Sequence, residues 1–585
     1  MDTQSVFEYI TTQEASYRTD RIPLTSSKSW NMREHIERCK NVSNAWFNRG
    51  SNEDGLRPYN DIVTPVIDVA FRSEGFDVKD IVPFVDSISD YYLSFIIKKY
   101  HPQWARKHEL DTFIDEVVEN SIIYDLVLIK NVDERRPSVV DLDSIAFCNQ
   151  TDIMAGPICI KHNFTISEMV EYKGKWNSDK IDMAILLSLE EKKVALANNQ
   201  PAKTPSKNIE VYELRGHLPS RWHKDDGEMF TYSPQMHVVC YYTGENGKKE
   251  GITLYKGVDK ALSENFKALK LDMVRSKGRA CGRSIVERLF EPQVWNNYAG
   301  IKLKEMLDSA VNLLQTDSEE FGNQKISSLK NNTILKHEQG KPITRIDMQL
   351  QNVPALQNFQ ALQESNARTL GSASDASLGK NPVSGTPFAL QSLIVQQGDG
   401  IHEYRKGKIA TFFADVLYRD WILKWMIADI NEGKTFSEEL SLEELQEIAE
   451  TITNNSRNIR AKELILKGEL VTKEELDAFQ QAEKEIFIKA GNRKFFTDFK
   501  GAFKDAPVRV LVNVAGKQKD MTQVADKLSN LISTFLKAGV PISALAKPMN
   551  ELLENSGLSP VNFASIVNAP APVASPVPNP QPAVA

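Results

Sequence analysis

Apolar residues recur three and four positions apart over Trp30–Phe47, Asp86–Lys99 and Leu110–Tyr124, the spacing that lines one face of an α-helix. Between the first two of these, GLRPYNDIVTPVIDVAF is an apolar run broken by Pro58 and Pro65. From Asp125 the period shortens to two. Leu126–Ile129, Ile158–Ile160, Ile209–Leu214, Met236–Tyr242 and Ile252–Tyr255 are rich in β-branched and aromatic residues and predict strands. The last two flank Gly244-Glu245-Asn246-Gly247, and Asn-Gly predicts a hairpin turn.

Helical spacing then returns. Ser284 stands three positions before Glu287, the form of a capping box, and Pro292 is expected to kink or restart the helix that follows. Leu303, Met306, Leu307, Ala310, Val311 and Leu314 continue it as one stripe. Turns at Gly322-Asn323, Asn331-Asn332 and Gly340-Lys341-Pro342 mark a compact insertion of short elements. Val353–Leu370 is helical again, with Leu356, Phe359, Leu362 and Leu370 on or near one face, and GSASDASLGKNPVSGT (Gly371–Thr386) is a flexible loop by composition. Ile409, Phe412, Phe413, Val416, Leu417, Trp421 and Trp425 define a long apolar helix. That helix is either core or a face between copies, since large obligate interfaces are apolar. Ser441 with Glu444 and Thr472 with Glu475 place further helices between Leu440 and Ile488. Val508–Val514 alternates like a strand, and two short helices follow, separated at Gly539-Val540-Pro541. The last residues, APAPVASPVPNPQPAVA, are expected to be disordered.

At 585 residues, 41% of them hydrophobic and 9% aromatic, the chain can bury a real core in several parts. The formal net charge is −7, and the basic face expected of a sequence-specific DNA-binding protein does not stand out. Charge is also uneven. Between Leu350 and Gly400 only Glu364, Arg368, Asp375, Lys380 and Asp399 interrupt a run of small and polar residues. Each Lys or Arg that neutralises a phosphate adds salt-dependent affinity, so a surface that lets DNA slide past avoids cationic rows. A polar linker has the same composition. The cysteines, Cys39, Cys148, Cys159, Cys240 and Cys281, form no CxxC pair, which suits a reducing compartment. The N-terminus lacks the basic and apolar segments of a signal peptide. No window approaches the roughly 20 apolar residues of a membrane span, so no membrane partner is expected.

The search for chemistry returns little. There is no GxxxxGK[ST] phosphate cradle. Lys277–Ser284 is Gly- and Arg-rich ahead of a helix whose N-terminus could draw an anion; a turn steering the chain into that helix is the simpler reading. His217, His223, His237 and Cys240 match no zinc signature in their spacing. Asp225, Asp226 and Glu228 are either a magnesium cluster of a nuclease or a solvated loop. No GxSxG nucleophile elbow occurs. No catalytic residue, cofactor or metal is assigned, and the chain is not expected to be an enzyme.

The order of parts from Gly278 to Trp421 resembles the portal proteins of tailed double-stranded DNA bacteriophages, especially the larger portals of short-tailed phages. GRSIVERLFEPQVWNNYAGIKLKEMLDSAVNLLQ resembles the entry into the first stem helix of that family, and Asp317–Asn352 has the size and mix of its clip. Val353–Leu370 is similar to the returning stem helix, Gly371–Thr386 to the tunnel loop, and SGTPFALQSLIVQQGDG to the segment after it. PYNDIVTPVIDVAF, DLDSIAF, KHNFTISEMV and VYELRGHLP are similar in character to portal wings. Residues 434–504 depart from the pattern by their charge.

The resemblance implies an α+β fold of portal architecture. Its parts are an α/β wing with β-hairpins (1–282), stem helix 1 (283–316), a clip (317–352), stem helix 2 (353–371) and a tunnel-loop region (372–400). A wing helix and helical region (401–506), a crown (507–565) and a disordered Pro/Ala-rich tail (566–585) follow. It further implies a homo-oligomeric ring, typically a dodecamer, at one capsid vertex of a virion assembled in the host cytoplasm. Its partners would be double-stranded DNA in the channel, the major capsid protein, the large terminase subunit and head-to-tail adaptor or tail proteins. On that pattern Ser377, Lys380, Asn381 and Ser384 would line the tunnel, and Lys325, Lys330, Lys336 and Arg345 would dock partners at the clip. The rival readings are another ring-forming adaptor or baseplate protein, and a metal-dependent nuclease using Asp225, Asp226 and Glu228.

Overall fold

The computed structural model describes residues 3–45, 59–85, 92–132, 136–197, 208–223, 231–243, 249–272, 276–309, 313–315, 344–346, 353–373, 378, 400–431, 472–498 and 508–512, with scattered positions between 449 and 467. Helix and sheet are mixed, an α+β chain. It forms two compact units: Met1–Glu74 with Thr112–Phe412, and Gly75–Asp111 with Phe413–Ala585.

The chain opens with α1 (Thr3–Thr19), a two-residue ladder of β1 (Ile22–Pro23) and β2 (Ser29–Trp30), α2 (Met32–Ser43) and α3 (Thr64–Glu74). Asn31 explains why α2 starts where it does. Its backbone is extended, its side-chain oxygen accepts from the Glu34 amide, and its Nδ2 donates to the Tyr17 and Asp20 carbonyls. Met32, Ile36, Cys39 and Val42 then fall on the buried face. The second unit takes β3 (Ile81–Val85) and α4 (Tyr92–Lys107) before α5 (Leu110–Tyr124) returns the chain.

Two antiparallel sheets follow in the first unit. β4 (Val127–Val132), β5 (Arg136–Val140) and β11 (Phe266–Leu269) form one, in the order β11-β4-β5. β6 (Ile145–Phe147), β7 (Ile158–Thr165), β8 (Asn208–Pro219), β9 (Tyr232–Thr243) and β10 (Lys249–Val258) form the other, in the order β10-β9-β8-β7-β6. The expected hairpin is present as the pair β9 and β10, with Thr243 opposite Lys249. Between β7 and β8 run α6 (Ile166–Glu171), started by a Thr165–Glu168 capping box, and α7 (Ser178–Ala197). Met169, Ile181 and Ala184 of these helices bury Ile209, Val211, Val238, Cys240, Ile252 and Leu254 of the sheet. Each buried Val, Leu, Ile or Met among them contributes about 1.5–3 kcal/mol.

After the short α8 (Leu262–Asn265), α9 (Ile285–Ser309) leads into β12 (Leu313–Gln315). β13 (Thr344–Ile346) pairs with it antiparallel, Leu313 opposite Ile346, and α10 (Val353–Leu370) packs back along α9. Three expectations change here. α9 does not restart at Pro292, because the next turn is tied down: Gln293 and Asn296 both donate to the Asn60 carbonyl, and Gln293 accepts from the Ile62 amide. Leu314 belongs to a strand rather than to the helical stripe. The capping box is half made. Ser284 accepts from the Glu287 amide at 2.9 Å, but the Glu287 carboxylate turns to Arg279.

α11 (Gly400–Phe412) closes the first unit. In the second, the Phe413–Ile422 stretch is π-helical rather than α-helical and is followed by α12 (Leu423–Asn431). α13 (Lys473–Asp498) and β14 (Val508–Val512) complete it, β14 pairing antiparallel with β3. Phe76 meets Phe413 edge-on at 5.2 Å, and His101 Nε2 lies 2.7 Å from the Tyr418 hydroxyl. Burial pushes His101 down to about 4, so it is neutral at physiological pH. Of the apolar residues of the 409–425 stretch, Ile409, Phe412, Phe413, Leu417 and Trp421 are buried, and Val416 and Trp425 are half-buried.

Candidate functional site

The helical hairpin of α9 and α10 is rooted by an unusual concentration of polar contacts. Arg279, 7% exposed at its side chain, forms a bidentate pair with Glu287, donates to the Gly282 carbonyl and lies over the Trp30 ring. The Gly- and Arg-rich segment forms a turn that leads into α9, held there by Arg279. Arg38 of α2 covers Phe290. At the other foot, α10 ends with the Ala373 amide donating to the Arg368 carbonyl and Ser372 in the left-handed region at φ 55°. Gly371 is needed there, because a Cβ would overlap Val66 of α3.

The hairpin carries apolar surface that is left exposed. Val294, Trp295 and Tyr298 of α9 and Leu362 and Leu370 of α10 are 39–54% exposed. Trp295 meets Tyr298 edge-on at 6.0 Å and Phe359 at 6.4 Å, joining both helices in one aromatic cluster. Of α10 only Gln363 and Ala367 are buried. Clustered exposed apolar residues mark an interaction surface; scattered ones do not.

A buried ionic centre stands behind this root in the same unit. Glu74, fully buried at the end of α3, accepts at Oε1 from Arg405 Nε (2.7 Å) and lies 2.9 Å from His402 Nδ1. Arg405 also donates to the Ser121 carbonyl and lies 3.5 Å from Asp125 Oδ1. Asp125 sits at φ 52° just past α5, and its Oδ2 accepts from the Asp272 amide. A Cβ on Gly282 would overlap the Asp125 carboxylate, so glycine is required where the chain turns into α9.

Burial pushes the Asp125 carboxyl up to about 6, against the opposing pull of Arg405 and the Asp272 amide. The folded protein thus holds this proton more tightly than the unfolded chain. The associated stabilisation is complete below the ordinary aspartate range and is lost as pH rises through about 6, amounting to roughly 3 kcal/mol. Urea midpoints should show it as a difference: the advantage of wild type over Asp125→Asn shrinks between pH 4 and pH 7. A difference that stays constant across that range would contradict the assignment.

Ser377, Lys380, Asn381, Ser384, Lys325, Lys330 and Lys336 lie outside the described residues, as do Asp225, Asp226 and Glu228; Arg345 is in β13. His237 pairs with Gln235 at 2.9 Å inside the sheet. Among the described residues no three His, Cys, Asp or Glu side chains gather as a metal site, and no helix is long and apolar enough to cross a membrane. The hairpin's exposed face was not read from sequence, since helical spacing marks an apolar stripe without saying whether the chain itself covers it. No protein-family model matches this chain, and no curated protein matches it.

Proposed function

We propose that the chain is the subunit of a ring-forming portal, a passive channel at one capsid vertex through which double-stranded DNA enters and leaves. One observation carries the reading. A helical hairpin, α9 and α10, runs out to and back from a small β12–β13 ladder and bears an aromatic face left uncovered by its own unit. A monomer gains nothing from that face, whereas a ring covers it by repetition of one contact. The small charge of the 350–400 stretch supports the reading, because a dozen added lysines around a bore would each bind phosphate. In this proposal the 317–352 insertion docks terminase and then adaptor proteins, and the motor is supplied by another chain.

The test is the mass and outline of the purified protein. A closed ring of about twelve 66.0-kDa chains, roughly 0.8 MDa with a hole of duplex width, is expected by native mass measurement and negative-stain imaging. A chain that stays monomeric at every concentration and salt would end the proposal.

A further inference from the structure

The three- and five-stranded sheets of the first unit together line a cleft of about 530 Å³, within the range of ligand sites. β8 reaches it by a change of character. Ile209 and Val211 lie in the apolar core under α6 and α7, and Glu213 and Arg215 continue the same side of the strand into the cleft. β4 brings Lys130 and Asn131, and the chain just after α6 brings Tyr172 and Trp176, which stack at 4.1 Å and 9°. Phe164 of β7 stands 5.4 Å from Tyr172 and 6.1 Å from Trp176 between centroids, so three rings form one apolar wall.

The charges at the cleft are paired. Glu213, 7% exposed at its side chain, holds Lys130 Nζ at 2.6 Å and His162 Nε2 at 2.8 Å on Oε2, and Arg215 Nε at 2.6 Å on Oε1. Burial works to raise its pKa, but Lys130 and the other partners outweigh burial and hold the carboxyl well below the usual range. Arg215 also reaches Asp259 at 3.3 Å, and Asp141 stands 3.6 Å from Lys40 Nζ. A phosphate entering the cleft would meet a carboxylate beside both Lys130 and Arg215. What remains is hydrogen-bonding capacity of both kinds. Lys130 and Arg215 keep N–H groups beyond those given to Glu213 and Asp259, since an ammonium has three and a guanidinium five. On the acceptor side, Asn131 Oδ1 has no partner among the described residues, and the Asp141 carboxylate is exposed. An acceptor left without a donor is unfavourable, so the fitting ligand donates as well as accepts.

A neutral pyranose has this chemistry. Each of its hydroxyls donates one hydrogen bond and accepts two. It carries no charge for Glu213 to repel, and the C–H groups of one ring face rest on the negative face of an aromatic side chain. A nucleotide shares the stacking but brings phosphate charge, which the paired carboxylates oppose. We infer that the cleft lined by Asn131, Arg215 and the rings of Phe164, Tyr172 and Trp176 is a binding site for a neutral pyranose sugar, free or as one residue of a longer glycan. The inference stands apart from the ring proposal.

Saturation-transfer NMR and calorimetry on the full-length chain test it. The probes are glucose, galactose, mannose and N-acetylglucosamine, with maltose, cellobiose and chitobiose beside them. At least one should bind saturably at millimolar concentration or below, with saturation passing to its ring C–H protons. A disaccharide that binds more tightly than its monosaccharide assigns the site to a glycan chain, and equal affinity assigns it to a single sugar. Trp176→Ala should weaken binding by roughly tenfold or more, the loss expected of an aromatic anchor. Trp176→Phe, which keeps a ring in the wall, should retain most of the affinity. The phosphate ester of the same sugar should bind no better than the neutral form, a readout that does not depend on how any variant folds. No saturable binding by any probe, binding unmoved by Trp176→Ala, or a preference for the phosphate ester or for adenosine overturns the inference; each of these leaves the particle mass, and the ring reading, untouched.

Discussion

Arg405→Ala is expected to destabilise the first unit by about 3–5 kcal/mol, the range for breaking a buried ion pair from one side. The cost comes from what is left behind. Glu74 is fully buried, and its Oε2 has no partner among the described residues, so Arg405 and His402 at Oε1 are its named support. Asp125 would lose its nearest cation at the same time. Two carboxylates would then be stranded in a low-dielectric interior, and the Ser121 carbonyl would lose a donor. Pairing Arg405→Met with Glu74→Leu should recover much of the loss, because packed apolar groups can replace a buried pair at little cost. Denaturant unfolding together with amide exchange in α3 and α11 reads both effects. A loss below about 1 kcal/mol for Arg405→Ala would mean that water reaches the site, since only solvated pairs are worth so little.

The sequence was most legible where one period ran unbroken. Leu110–Tyr124 and Val353–Leu370 are helices with the bounds their spacing suggested, and the strands from Ile158 to Tyr255 lie within observed strands. α7 was not read. Its Met183 and Leu186 are exposed among buried Ile181 and Ala184, so apolar residues surround the helix and no stripe emerges. β5, Arg136–Val140, is short, edge-placed and contains Pro137, which argues against a strand on local grounds. At Pro292 a restart was one of two local expectations, and α9 runs on without one; the contacts that hold its next turn come from Asn60, distant in sequence. The ionic centre was invisible for the same reason. Glu74, Asp125 and Arg405 share no motif and meet only once α3, α5 and α11 are packed. The 409–425 stretch, by contrast, offered two readings of one stripe, and burial decides for core.

That decision moves the expected contact between copies to the hairpin, where a charge should act strongly on assembly and weakly on folding. Leu362 is 54% and Trp295 49% exposed, so Leu362→Glu and Trp295→Glu remove little that the isolated chain buries. Surface changes of this kind cost within about 0.5 kcal/mol of folding stability. In a ring the same substitution acts at every contact. An aromatic or leucine anchor lost from a packed interface costs about 2 kcal/mol or more, and a desolvated, unpaired carboxylate adds to it. Closing a ring of about a dozen chains multiplies that penalty by the number of contacts, so assembly should fail altogether while thermal unfolding of the chain hardly changes. Trp295 also touches Tyr298 and Phe359 within its own chain, which makes Leu362→Glu the cleaner variant. Size-exclusion chromatography with light scattering should find monomers for both variants under conditions where the unaltered chain is a large particle. Particles of unchanged mass from Leu362→Glu and Trp295→Glu would mean that this face is not between subunits, and the hairpin would lose its part in the proposed ring.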